Sequence, residues 1–154
     1  MSLHISSPAF KEGGNIPPGY TKDGQNVSPE LNWTGSPPKT SSLVLILHDP
    51  DAPVPGGFTH WVVFNLPPDS NGLPEGVVRR ERLEDGTLQG KNDSGAAGYM
   101  GPAPPPGKPH HYHFKLYAVD KTLNLTPAAG RKEVLDAIKG HILDESETTG
   151  LYQR

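Results

Sequence analysis

The chain has 154 residues, a formal net charge of -3 and no cysteine. It is sized for one domain spanning 1–154, offers no clustered basic face for nucleic acid, and has neither disulfides nor thiolate chemistry. Only 33% of residues are hydrophobic, while glycine and proline number 18 each, a composition of many short elements joined by stiff turns.

In chain order, the first nine residues predict an edge strand. Met1-Ser-Leu-His-Ile5 turns polar too early for a secretory leader, and no apolar run approaches the ~20 residues of a membrane span. A cytoplasmic protein is therefore expected. Lys11 to Glu30 is turn chemistry, with Gly13-Gly14, Pro17-Pro18-Gly19 and Asp23-Gly24. Leu31 to Thr34 reads as a short strand. Ser42-Leu-Val-Leu-Ile-Leu-His48 is continuously apolar, the pattern of a central strand buried on both faces, and Asp49-Pro50 ends it.

A turn containing Gly56-Gly57 leads into a second central strand, His60 to Leu66. Alternation assigns His60, Val62, Phe64 and Leu66 to one face and Trp61, Val63 and Asn65 to the other. Residues 69–76 and the glycine-rich 86–98 read as loops. Tyr112 to Val119 is a third strand, with His110, Tyr112, Phe114, Leu116 and Ala118 in one row and His111, His113, Lys115, Tyr117 and Val119 in the other. Val134, Leu135, Ile138 and Ile142 recur at helical spacing, which predicts a helix over Arg131 to Leu143 after Gly130.

Five of the seven histidines lie in two stretches, His48-Asp-Pro-Asp-Ala-Pro53 with His60-Trp61, and Gly101-Pro-Ala-Pro-Pro-Pro-Gly107 running into His110-His-Tyr-His-Phe114. Two close acids, Asp49 and Asp51, belong to the first. These proline-stiffened corners are expected to meet around a small polar pocket. There His60 and His110 would converge on one oxyanion, Asp49 would orient a histidine and Tyr112 would offer a phenolic donor. The loop glycines, Gly101 first, would add N–H groups, while Pro102, Pro104 and Pro105 would make a stiff wall that limits the entropy lost on binding.

Two other chemistries fit less well. His111 and His113 share a strand face as a metal pair would, but Lys115 continues their row, so neither a metal nor any other cofactor is assigned. Hydrolysis lacks its usual partners: there is no Gly-x-Ser-x-Gly elbow and no cysteine, and Ser94 in a glycine-rich loop is the sole candidate nucleophile. No catalytic residue is assigned.

Taken together, these motifs resemble those of the phosphatidylethanolamine-binding protein family, also called Raf kinase inhibitor-like proteins, in its compact bacterial and archaeal branch. The matching text is Asp49-Pro-Asp-Ala-Pro53, His60-Trp61, Gly98-Tyr-x-Gly-Pro-x-Pro-Pro105 and His110-x-Tyr112. Pro29-Glu-Leu-x-Trp33, Asn65-Leu-Pro-Pro68, Leu73-Pro-Glu-Gly76, Gly140-His-Ile-Leu143 and Gly150-x-Tyr152 match as well. The resemblance implies a mostly β fold, a large antiparallel sheet packed against a smaller one with few short helices. It implies an anion pocket for phosphate-like groups, including phosphorylated head groups, with Asp49, His60, His110 and Tyr112 as its polar members. Inhibition of a partner kinase or protease is the second function it suggests, weak hydrolysis the third, and its bacterial members suggest a homodimer. Val54 to Thr59 is a much shorter link than in the eukaryotic kinase inhibitors, the C-terminal helix that closes over their pocket has no counterpart, and Thr148 stands where a larger apolar residue is expected.

Overall fold

Residues 2–154 are described by the structure, a computed structural model. Its strands are β1 (His4–Ser6), β2 (Leu31–Thr34), β3 (Ser42–Asp49), β4 (Phe58–Leu66), β5 (Gly72–Leu73), β6 (Leu88–Gln89), β7 (His110–Val119) and β8 (Ile142–Tyr152), with one α-helix, α1 (Arg131–Ile138). A five-stranded sheet runs in the order β6-β4-β3-β7-β8 and a three-stranded sheet in the order β1-β2-β5. Every pairing within them is antiparallel. The expected large and small sheets are both present.

β3 lies between β4 and β7, and its apolar run feeds two cores at once. Leu43, Leu45 and Leu47 pack with Trp61, Phe114 and Leu116 against Ile5, Leu31 and Trp33 of the small sheet. Val44 and Ile46 pack with Val62, Phe64 and Val119 against Val134 and Ile138 of α1. Each fully buried Leu, Ile or Phe contributes roughly 1.5–3 kcal/mol, so this strand anchors both layers.

The alternation assigned to β4 holds only in its middle. Leu47 pairs with Trp61 but His48 pairs with Thr59, so His60 is an extra residue; a second irregularity separates Leu45–Val63 from Leu43–Leu66. Near the second, Asn65 takes φ 57° and its side chain bonds both backbone groups of Leu123. A bulge adds one residue and re-aims the side chains beside it. Leu66 consequently joins Trp61 and Val63 in the small-sheet core, and His60 packs on Tyr112 of that same face, with Val62 and Phe64 alone facing α1.

The predicted helix is also shorter than its spacing implied. It ends at Ile138, Gly140 turns the chain at φ 82°, and Ile142 begins β8. Glu133 accepts the Gly130 N–H at the helix start. β8 pairs with β7 along the whole of β7. Its segment Asp144-Glu-Ser-Glu-Thr-Thr149 is polar because much of it faces solvent, which removes the apolar alternation that marks a strand. Thr148 is buried, and its hydroxyl donates to Glu12 at 2.7 Å, so a polar contact replaces apolar packing there.

Candidate functional site

Asp49 is the last residue of β3 and is 2% exposed. Its Oδ1 accepts the Asp51 N–H at 2.8 Å, closing the turn, and its Oδ2 accepts His110 Nδ1–H at 2.7 Å. That second bond ties the two corners together across 61 positions of sequence. Gly57, at φ 80°, carries the returning chain so close to the turn that a Cβ there would strike the backbone of Asp49 and Pro50. Glycine is the residue for such an approach.

His60 is 4% exposed and is held by the loop that follows Gly98. Its Nδ1 bonds the Met100 carbonyl at 2.6 Å, while the Met100 N–H donates to the His60 carbonyl at 3.0 Å. A carbonyl can only accept, so Nδ1 carries the hydrogen and Nε2 holds the lone pair of the neutral ring. Burial pushes the His60 pKa below its ordinary value, outweighing the Met100 hydrogen bond and the Asp49 charge that favour the proton.

Tyr112 completes the base. Its ring meets His60 edge-on at 5.4 Å and stacks with His110 at 6.5 Å. Its hydroxyl is buried and makes no full hydrogen bond, and burial, then the charge of the neighbouring Asp49 and a weak hydrogen-bonding interaction with it, raises its pKa, so it stays protonated.

These four side chains line a cavity of about 360 Å³, walled by Met100, Ala103, Pro104 and Pro105 and by Ala52, Pro53, Val54 and Phe58, with Arg154 also at its surface. The arrangement of apolar walls and a few converging polar groups is that of a small-ligand pocket. Asp51, Gly101 and Pro102 stand outside the lining. Asp51 accepts both the backbone N–H and the Nδ1–H of His111 at 2.7 Å on the outer face. The Gly101 N–H donates to Asn26 Oδ1 at 2.8 Å, and the Pro102 carbonyl accepts the Lys22 N–H at 3.0 Å. The Gly107 N–H is spent on the Arg154 carbonyl at 3.4 Å. The glycine donors expected of this loop therefore anchor the wall instead of facing the cavity.

His111 and His113 each spend Nδ1 on a carboxylate, Asp51 and Glu147, and no metal-binding group of three or more ligands forms among the described residues. The Ser94 hydroxyl donates to Asn92 Oδ1 at 2.5 Å and is not among the cavity residues. No helix among the described residues is long and apolar enough to cross a membrane.

Phe58, Met100 and Arg154 were not foreseen as pocket members. Arg154 arrives through the pairing of Tyr152 with His110, and its guanidinium is fixed by Asp23 at 2.8 Å. Met100 directly follows Gly98-Tyr99 in the wall motif, so its position in that motif was the available signal.

The phosphatidylethanolamine-binding protein family model matches residues 6–153. A UPF0098 protein of Methanothermobacter thermautotrophicus is 51% identical over 152 residues, covering 99% of each chain. The crystal structure of Escherichia coli YbcL, described as a new member of the mammalian PEBP family, aligns with TM-score 0.93 at 32% identity, covering 100% of this chain and 99% of that one. A PEBP homologue from Chlamydia trachomatis aligns with TM-score 0.90 at 35% identity, covering 99% and 98%. With its motifs, its two-sheet architecture and these relatives in agreement, the chain belongs to the phosphatidylethanolamine-binding protein family.

Proposed function

We propose that this protein binds small phosphate-like anions or phosphorylated head groups in the cavity between the Asp49 corner and the 98–107 loop. The observation that carries the reading is the Tyr112 hydroxyl, a buried donor that makes no full hydrogen bond, on a residue that lines the cavity beside Asp49. Leaving such a group unpaired costs about 1–3 kcal/mol, which a ligand oxygen would recover. The Asp49 charge at the cavity is offset by the hydrogen bonds its two oxygens accept, one from a backbone N–H and the other from an imidazole. Arg154 brings a guanidinium, ion-paired with Asp23, to the cavity surface. The stiff proline wall keeps the ordering cost of binding low.

The test is an NMR titration with phosphoethanolamine that follows the imidazole signals of His60 and His110. Saturable shifts of both are expected. Signals that stay put at high ligand concentration remove the reading.

A further inference from the structure

A separate polar cavity lies on the other face of β3 and β7, where Ile46 pairs with Lys115 and His48 with His113. The helix α1 packs over Val44, Ile46, Val62 and Phe64 on this face. Eight residues of helix span about 12 Å, whereas the ten of β7 span about 34 Å, so α1 leaves part of the face open. The open part is a cavity of about 350 Å³ that bears Lys115 and Tyr117 of β7, Glu147 of β8 and Arg131, the first residue of α1.

Three donors line this cavity without an acceptor. Arg131 makes no hydrogen bond and no ion pair among the described residues, although its charge is close enough to act on His48 and Tyr117. Lys115 Nζ stands 3.7 Å from Glu147 Oε1, too far for a hydrogen bond. Tyr117 is 8% exposed, and its hydroxyl has no hydrogen-bond partner among the described residues. The imidazoles beside them are engaged: His48 bonds Thr59 and Gly56 through its two ring nitrogens, and His113 Nδ1 donates to Glu147 at 2.7 Å. Nor does helix stability account for Arg131. At the first helical position the helix dipole opposes a cation, so its charge weakens the element that carries it.

We propose that this second cavity binds a small organic carboxylate, its oxygens held by Arg131, Lys115 and the Tyr117 hydroxyl and its apolar body laid on Ile46. Charge decides the class of ligand. Two cations, Lys115 and Arg131, face one carboxylate, Glu147, and with the histidines counted as neutral one positive charge is left over. A single carboxylate balances it. A phosphate monoester carries about -1.5 to -2 at pH 7 and would set its excess charge against Glu147, with Glu145 also acting on Tyr117. The planar guanidinium fork accommodates the two oxygens of a carboxylate together. Strands β3 and β7 stand between this cavity and the one at the Asp49 corner, so loss of either site leaves the other intact.

The test is an NMR titration of the full chain at pH 7.5 with benzoate and, alongside it, benzamide, an uncharged molecule of nearly the same shape. Benzoate is expected to give saturable shifts at His113, Lys115 and Tyr117, and benzamide to bind at least tenfold more weakly. Arg131→Gln should weaken benzoate at least tenfold while thermal stability stays level or rises, because a cation leaves the helix start. Tyr117→Phe should weaken it about threefold or more. Arg80→Gln, at an exposed arginine outside the cavity, should change nothing. Methyl phosphate is expected to bind at these residues more weakly than benzoate, and Glu147→Gln, which removes the opposing carboxylate, to close that gap. Shifts confined to His60 and Tyr112, equal binding of benzamide, or full benzoate affinity in Arg131→Gln would overturn the inference. Methyl phosphate binding more tightly than benzoate at His113 and Lys115 would overturn the carboxylate assignment.

Discussion

The two rows of β7 carry the same chemistry in different surroundings. His110 and His111 each place Nδ1 2.7 Å from an aspartate of the Asp49-Pro-Asp51 turn. The His110–Asp49 side chains are 11% and 3% exposed, whereas those of His111 and Asp51 are 52% and 40% exposed. Outside, water screens the pair and competes for its hydrogen bonds, so it contributes about 0–1 kcal/mol. Inside, the pair replaces water that cannot reach it, and losing one member strands the other. Residue type marked both rows as candidates, and burial separates the site from its exposed likeness.

The sharpest way to break that contrast is Asp49→Ala. It strands His110 Nδ1 and the Asp51 N–H together and should cost about 3 kcal/mol in urea unfolding. A cost as small as a surface change would erase the distinction between the rows. Gly101→Ala comes next, at about 2 kcal/mol. Its new Cβ would lie 2.6 Å from the Tyr20 carbonyl oxygen and 2.9 Å from Thr21 Cα, and would also strike the Asn26 side chain. Paired unfolding and ligand titrations should show the wall loosening along with the fold.

Acid sharpens the contrast differently. Burial holds the His60 pKa below its unfolded value, so the unfolded chain takes the proton first. Stability is therefore flat above about pH 6.5 and falls below it, by at most about 1.4 kcal/mol per pH unit for this group, until the folded pKa is reached. Burial lowers His48 too, adding loss in the same window. Unfolding curves over that range should be less acid-sensitive in His60→Gln than in the wild type, and identical slopes would contradict the buried neutral ring. The smallest effect is expected from Asp51→Ala, within about 0.5 kcal/mol, measured beside Asp49→Ala.

The central strands were legible because burial on both faces of β3 and on one row of β7 leaves an unmistakable apolar pattern. Those strands also fixed Asp49, His110 and Tyr112 at their ends. His60 was legible as a candidate but not in its orientation, since a bulge is a property of how β4 pairs with β3 and leaves no mark in the alternation of β4 alone. β8 was illegible because a solvent-facing edge strand has no apolar row to show. Arg154 was lost with it, since only the β7–β8 register brings that residue to the cavity. The glycines of the wall motif were legible as special and misread in role: Gly101 makes room for Tyr20 and Thr21 instead of presenting a free N–H.

Tyr112→Phe separates binding from folding most cleanly, because it deletes only a hydroxyl that makes no full hydrogen bond with the protein. The decisive measurement is the affinity for phosphoethanolamine of the variant against the wild type by calorimetry, with unfolding followed in parallel. A loss of about tenfold in affinity with stability unchanged or improved is the predicted result. Unchanged affinity, or a fall in stability that accounts for any loss of binding, would contradict a ligand-seeking hydroxyl at the base of this cavity.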